Sequence, residues 1–165
     1  MASVFHFLML LCLTSGLVMG HTKTHPFLTR LAHNVRQCPD GWTHHGSRCF
    51  SFYHSEKTWL DAELTCISQG ANLASVHSAA EHNFLRGLIN RVTGSYKRTF
   101  IGGFDAMKEG VWQWSDGSKF DSTHWNKGEP NNLKVENCVE MNFRGNLWND
   151  LSCNAKLSFV CAKDM

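Results

Sequence analysis

The chain carries few of the signatures that would assign it to nucleic acid, to a bilayer or to zinc. It has no run of lysine or arginine and a formal net charge of only +2, so it lacks the basic footprint that a phosphate backbone calls for. Its N-terminal apolar stretch, Phe5 to Cys12, is too short to cross a membrane, and no stop-transfer pattern follows. There is no Cys-x-x-Cys pair, which argues against zinc as the use of the cysteines. No Asn-x-Ser/Thr sequon occurs, so N-glycosylation is not expected. Heptads and a Gly-x-y period are also missing, which excludes a coiled-coil or collagenous stalk. No paired nucleophile and base stand out, so an enzyme is the least favoured class.

What is present points to one small extracellular domain. At 165 residues the chain fits a single well-packed unit. Residues 1–20 read as a secretory signal peptide, although lysine and arginine are absent ahead of the apolar run. Residues 21–37 show no sustained apolar period and read as a flexible leader, leaving 38–165 as the folded domain. Removal of the signal takes Cys12 with it and leaves Cys38, Cys49, Cys66, Cys138, Cys153 and Cys161. An even number in a secreted chain implies three disulfides, but the sequence alone does not choose the pairing.

Along the domain, Gly41 to Tyr53 places glycines around a polar turn between strand-prone aromatics and predicts a hairpin, with His44 and His45 at its surface. Thr58 is a helix cap followed by Asp61, and Trp59, Ala62, Leu64 and Cys66 supply the helix's apolar face. Ser78 and Glu81 form a capping box for a second helix through Phe84, Leu85, Leu88 and Ile89. Val111 to Trp114 alternates as a strand should, with both tryptophans on one face and assigned to the core. Strands are also expected at Phe100 to Gly103, Cys138 to Phe143 and Leu157 to Cys161.

The chemistry is concentrated between Glu129 and Asp150. Glu129, Asn131, Glu136, Asn149 and Asp150 offer carboxylate and amide oxygens on an irregular loop, which is the donor set calcium takes. Without a cation the three acids repel one another, so metal binding should order the loop and weaken on acidification. Any one of these residues alone reads as an ordinary turn former. It is their joint occurrence around Pro130, Cys138 and Cys153 that makes the pattern specific.

Glu129-Pro130-Asn131, Glu136-x-Cys138, Trp148-Asn149-Asp150 and Cys153 resemble the principal calcium and sugar site of the C-type lectin family, and the resemblance runs from Cys38 to the C-terminus. Phe100-Ile101-Gly102-Gly103 is similar to the family's Trp-Ile-Gly-Leu strand, with Phe for Trp and Gly for Leu. The resemblance implies an α+β fold in which two helices flank antiparallel sheets beside a long calcium-binding loop. It implies disulfides Cys38–Cys49, Cys66–Cys161 and Cys138–Cys153, and a cis peptide before Pro130. It also implies an auxiliary calcium near Asp105, Glu109, Asn132 and Asn137, of lower affinity because amides replace two of the family's aspartates there.

In this family Glu-Pro-Asn accompanies sugars with equatorial 3- and 4-hydroxyls, such as mannose, N-acetylglucosamine and fucose, whereas Gln-Pro-Asp accompanies galactose. The expectation is a secreted, calcium-dependent, mannose-type lectin resembling the soluble single-domain lectins of fish and serving innate recognition of microbial surfaces. One shallow site binds a monosaccharide weakly, so avidity would come from a homo-oligomer formed through the domain surface. Two further readings share the fold: a calcium-dependent antifreeze protein using the same loop on ice, and a calcium-independent protein binder.

Overall fold

The computed structural model describes residues 37–165; the signal assigned to 1–20 and all but the last residue of the leader assigned to 21–37 lie outside the described residues. A short hairpin opens the domain, β1 (Thr43–His45) and β2 (Arg48–Lys57), turning at Gly46 with φ of 62°. His45 is no loose surface residue, since its ring stacks on Phe84 at 4.2 Å.

Helix α1 (Trp59–Ser68) starts where Thr58 accepts a hydrogen bond from the Asp61 amide. Its inner face differs from the apolar pattern of the sequence. Leu64 is exposed, and the buried positions are Ala62, Cys66 and Glu63. The Glu63 carboxylate is satisfied inside by the Leu73 amide at 2.7 Å, the Asn72 side chain at 2.6 Å and the Ser115 hydroxyl at 3.0 Å. It thereby ties the helix to β3 (Asn72–Leu73) and to the turn after β5 (Gln113–Trp114).

Helix α2 (Ala79–Thr93) is capped by the Ser78 hydroxyl, which accepts from the Glu81 amide, and ends at Gly94 in the left-handed region. The Glu81 carboxylate does not reach back to Ser78. It accepts instead from the His77 amide at 2.7 Å and from Arg48 at 3.2 Å, so the box is opened to staple the helix onto β2.

The remaining strands are β4 (Thr99–Phe104), β6 (Cys138–Phe143), β7 (Leu147–Leu151) and β8 (Leu157–Asp164). The sheet runs β1-β2-β8-β4-β6-β7, with β3 on β8 and β5 on β4. All these pairings are antiparallel except β4 with β8, a parallel pair the expected antiparallel sheets did not include. Because side chains alternate along β4, Phe100 packs with Ala62, Leu73 and Phe159 on the α1 side, while Ile101 joins Leu85, Ile89, Trp114 and Trp148 on the α2 side.

The Gly102-Gly103 pair has a steric reason. A Cβ on Gly102 would lie 2.6 Å from the Leu73 carbonyl oxygen, and one on Gly103 would lie 2.5 Å from a Val139 methyl. The disulfides are Cys38–Cys49, Cys66–Cys161 and Cys138–Cys153. The second joins α1 to β8, and the third ties the start of β6 to the turn after β7, beside the candidate site.

Candidate functional site

Strands β6 and β7 pair with Val139 opposite Asp150 and Glu140 opposite Asn149. That register puts Asn149 and Asp150 on a rigid ladder, beneath the loop that runs from Trp125 to Asn137. Trp148, just before them, is fully buried and bridges to Trp125. The loop itself turns at a cis Glu129–Pro130 peptide, and Asn132, Lys134 and Val135 adopt left-handed backbone angles.

Asp150 is fully buried, with its carboxylate turned to the loop backbone. Both oxygens accept from the Asn131 amide at 3.0 Å, and Oδ2 also accepts from the Asn132 amide at 2.6 Å. The Asn131 side-chain NH2 donates to Glu129 Oε2, while its Oδ1 accepts from the Leu133 amide at 2.8 Å. Asn149 donates its NH2 to Glu140 Oε1 at 2.9 Å, which leaves its side-chain oxygen as the atom available to a ligand. Glu140 is itself buried and held by Arg98. It is a supporting residue that the sequence pattern, reading it only as part of a strand, did not single out.

The three carboxylates feel one another. Burial first, then the charge of Asp150, raises the Glu129 carboxyl above the ordinary glutamate value. Glu136 is raised by the same two causes in the same order. Among the described residues no three His, Cys, Asp or Glu side chains close around a point as a metal cage would. The donor chemistry nevertheless fits calcium, because carboxylate and amide oxygens crowd one end of β7 with mutual repulsion that a divalent cation would relieve.

The auxiliary set is brought together in pairs. Asn132 donates to Glu109 at 2.6 Å, and Asn137 donates to Asp105 at 3.0 Å. Asp105 is buried and also accepts from the Gly110 amide at 2.8 Å. Here amide NH2 groups perform the bridging between the 105–110 loop and the site loop.

Behind the site lies a buried histidine. His82 on α2 is 5% exposed and stacks on His124 at 4.3 Å. The hydrogen-bond network assigns its tautomer: Trp148 Nε1–H donates to Nδ1 at 3.2 Å, so Nε2 carries the proton and donates to the Asn146 carbonyl at 2.8 Å. Burial, reinforced by His124 and Arg86, lowers its pKa from 6.5 to about 4. A proton on Nδ1 would eject the Trp148 bond. Because the unfolded chain takes up that proton first, stability is full above pH 6.5 and falls as the pH drops toward about 4. The gap corresponds to about 3 kcal/mol. Urea unfolding of His82→Gln should lose that part of the acid dependence between these limits; an unchanged slope would contradict the assignment.

Comparison with known proteins agrees with this architecture. The lectin C-type domain model matches residues 55–163. The chain is 48% identical over 166 residues to the galactose-specific lectin nattectin of Thalassophryne nattereri, covering 100% of both chains. It is 50% identical over 124 residues to ladderlectin of Oncorhynchus mykiss, covering 74% of this chain and 65% of that protein. Among solved structures, herring type II antifreeze protein superposes with a TM-score of 0.73 at 35% identity, over 78% of this chain and 99% of that one. Human lithostathine gives 0.75 at 32% identity, over 84% and 98%. No helix among the described residues is long and apolar enough to cross a membrane. With its sheet order, its disulfides and a loop of crowded carboxylates and amides matched over most of its length, the chain belongs to the C-type lectin family.

Proposed function

We propose that this protein is a secreted, calcium-dependent lectin that binds sugars with equatorial 3- and 4-hydroxyls through Glu129, Asn131, Glu136, Asn149 and Asp150. The observation that carries the reading is the bond between the Asn131 NH2 and the Glu129 carboxylate, on either side of the cis-proline. One is a donor and the other an acceptor, set side by side at the mouth of the loop. A vicinal diol matches this pair, because one hydroxyl can donate to Glu129 and its neighbour can accept from Asn131. Calcium, when bound, would supply a Lewis-acidic centre for the hydroxyl oxygens of such a diol. Asp150 keeps the loop backbone in place, and Glu140 fixes which end of the Asn149 amide faces outward. Asp105, Glu109, Asn132 and Asn137 are the set for a weaker auxiliary ion.

The test is retention on mannose-agarose in calcium, with release by a chelator, run beside galactose-agarose. Retention on mannose with chelator release is the expected result. Retention on galactose alone would overturn the sugar preference and align the protein with the specificity in nattectin's name. Passage through both resins together with thermal hysteresis would favour ice binding, the property for which the herring antifreeze protein is named. Since Glu129 and Glu136 must be ionised to hold the metal, and both carboxyls are raised, retention should fall as the pH drops into the raised range.

Sugar preference follows the order of acid and amide. Glu129→Gln with Asn131→Asp exchanges donor and acceptor across the cis-proline and should shift binding toward galactose by about ten-fold or more, worth roughly 1.4 kcal/mol. A glycan array showing unchanged mannose selectivity would disprove that dependence. A secreted lectin of this kind serves innate recognition of microbial glycans, with avidity supplied by several copies presented together.

A further inference from the structure

We propose that the basic face at the β6–β7 turn is a subsite for an acidic group on the bound sugar, so that the preferred ligands are sulfated or carboxylated glycans. The inference rests on the sugar-binding reading of the loop and deepens it. Arg86, Arg98 and Arg144 form the face. Two of them share the Phe143 ring, with the Arg144 guanidinium 5.0 Å from its centroid and that of Arg98 5.5 Å away. Arg86 donates to the Gly145 carbonyl at 3.3 Å, one residue beyond Arg144, and its guanidinium lies 4.4 Å from the centre of the Tyr96 ring.

Little negative charge offsets these cations. Among the described residues neither Arg86 nor Arg144 has a carboxylate within ion-pair distance. Arg98 gives Nε and one terminal nitrogen to Glu140, which is fully buried, and still keeps about half of its own side chain open to water. Stacking on a ring uses the face of a guanidinium and leaves its in-plane N–H donors free for a planar oxyanion.

The face is continuous with the loop site. Arg98 holds Glu140, and Glu140 holds Asn149. Phe143 pairs with Leu147, two residues before Asn149 on the same strand. Burial and the charge of Asp150 raise the Glu129 carboxyl, and Arg144 acts against them. Arg98, raised chiefly by its bond to Glu140, also feels the charge of Glu136. Both guanidinium groups therefore lie within electrostatic reach of the residues assigned to the sugar.

These surroundings select the ligand. The loop takes the 3- and 4-hydroxyls, so the acidic group sits elsewhere on the glycan, as a 6-sulfate or a uronic carboxylate does. Arginine forks suit both groups. Nucleic-acid binders commonly make on the order of six to ten phosphate contacts, whereas this face offers three arginines in a chain of net charge +2. Glu129, Glu136 and Asp150 would repel an acidic sugar until calcium offsets their charge, so the preference belongs to the calcium-loaded protein.

The experiment is competitive elution of the full chain from mannose-agarose in calcium. The eluants are N-acetylglucosamine against its 6-sulfate and glucose against glucuronate, with inorganic sulfate as the control anion. The expected result is elution by an acidic sugar at about five-fold lower concentration than by its neutral parent, an advantage that grows as salt is lowered. An advantage confined to the sulfate or to the carboxylate would support the proposal and identify the group. Arg144→Gln, an exposed change, should cancel most of the advantage while neutral N-acetylglucosamine elutes as before, which also shows that the variant is folded. Equal elution by acidic and neutral sugars, or an advantage that survives Arg144→Gln, would overturn the proposal and leave the loop site standing. Elution by inorganic sulfate as readily as by the sulfated sugar would overturn it too, reducing the face to a site for an adventitious ion only. Failure of the wild type to bind mannose-agarose at all would overturn the mannose-type reading of the loop and this inference together.

Discussion

Asp150→Asn is expected to abolish retention on sugar resin and to lower calcium affinity by more than the roughly 10- to 100-fold that loss of a supporting group costs. The wild-type carboxylate accepts from the Asn131 amide through both oxygens and from the Asn132 amide through one. An asparagine has a single acceptor oxygen, so its NH2 would face a backbone donor. The loop would then lose both its seat on β7 and one of the three charged ligands proposed for calcium, with about 1–3 kcal/mol lost from each unpaired buried group. Calcium titration by calorimetry is the measurement, with thermal unfolding to confirm that the domain remains folded. Calcium affinity within a factor of a few of wild type would remove Asp150 from the site.

The second large effect lies one layer deeper. Arg98→Met is expected to destabilise the domain by about 3 kcal/mol, the low end for breaking a buried ion pair, because Arg98 itself is half open to water. Its partner is not: Glu140 is fully buried and receives Arg98 Nε at 2.6 Å as well as a second guanidinium nitrogen. Glu140 in return holds the guanidinium above its ordinary pKa, chiefly through that hydrogen bond. Removing the arginine leaves a carboxylate inside the sheet with only the Asn149 amide for company. Adding Glu140→Gln to the variant removes the stranded charge and should recover most of the loss, read by urea unfolding at neutral pH. A single variant costing less than about 1 kcal/mol would show that Arg98 is only a surface charge.

Local chemistry was the legible part of this chain. Caps at Thr58 and Ser78 are visible as residue types because they act within three residues, and both are where the helices begin. The same holds for the turn at Gly46 and for the β6 and β8 strands. Residues whose role depends on a distant partner were not legible. Glu63 looks like one more polar residue on a helix until β3 arrives to give it an amide, and Leu64 looks like core until Glu63 takes that place. Trp112 and Trp114 alternate as if equivalent, yet only Gln113–Trp114 forms the strand; Trp114 enters the core and Trp112 stays half-buried. In the candidate site the carboxylate and amide types were readable from the loop, while the Arg98–Glu140–Asn149 chain was not, since its members sit just before β4, on β6 and on β7.

The two ends of the domain are neighbours. Cys38 is bonded to Cys49, Cys49 lies opposite Lys163 in the sheet, and the Met165 amide donates to the Ser47 carbonyl at 3.1 Å. Polypeptide therefore enters and leaves through one doorway. A module with that property can be spliced into a longer chain, strung in tandem or set on an assembling stem without unthreading a strand. The number of sugar sites displayed together then becomes a choice for whatever is joined at the doorway, and the recognition surface need not change to accommodate it.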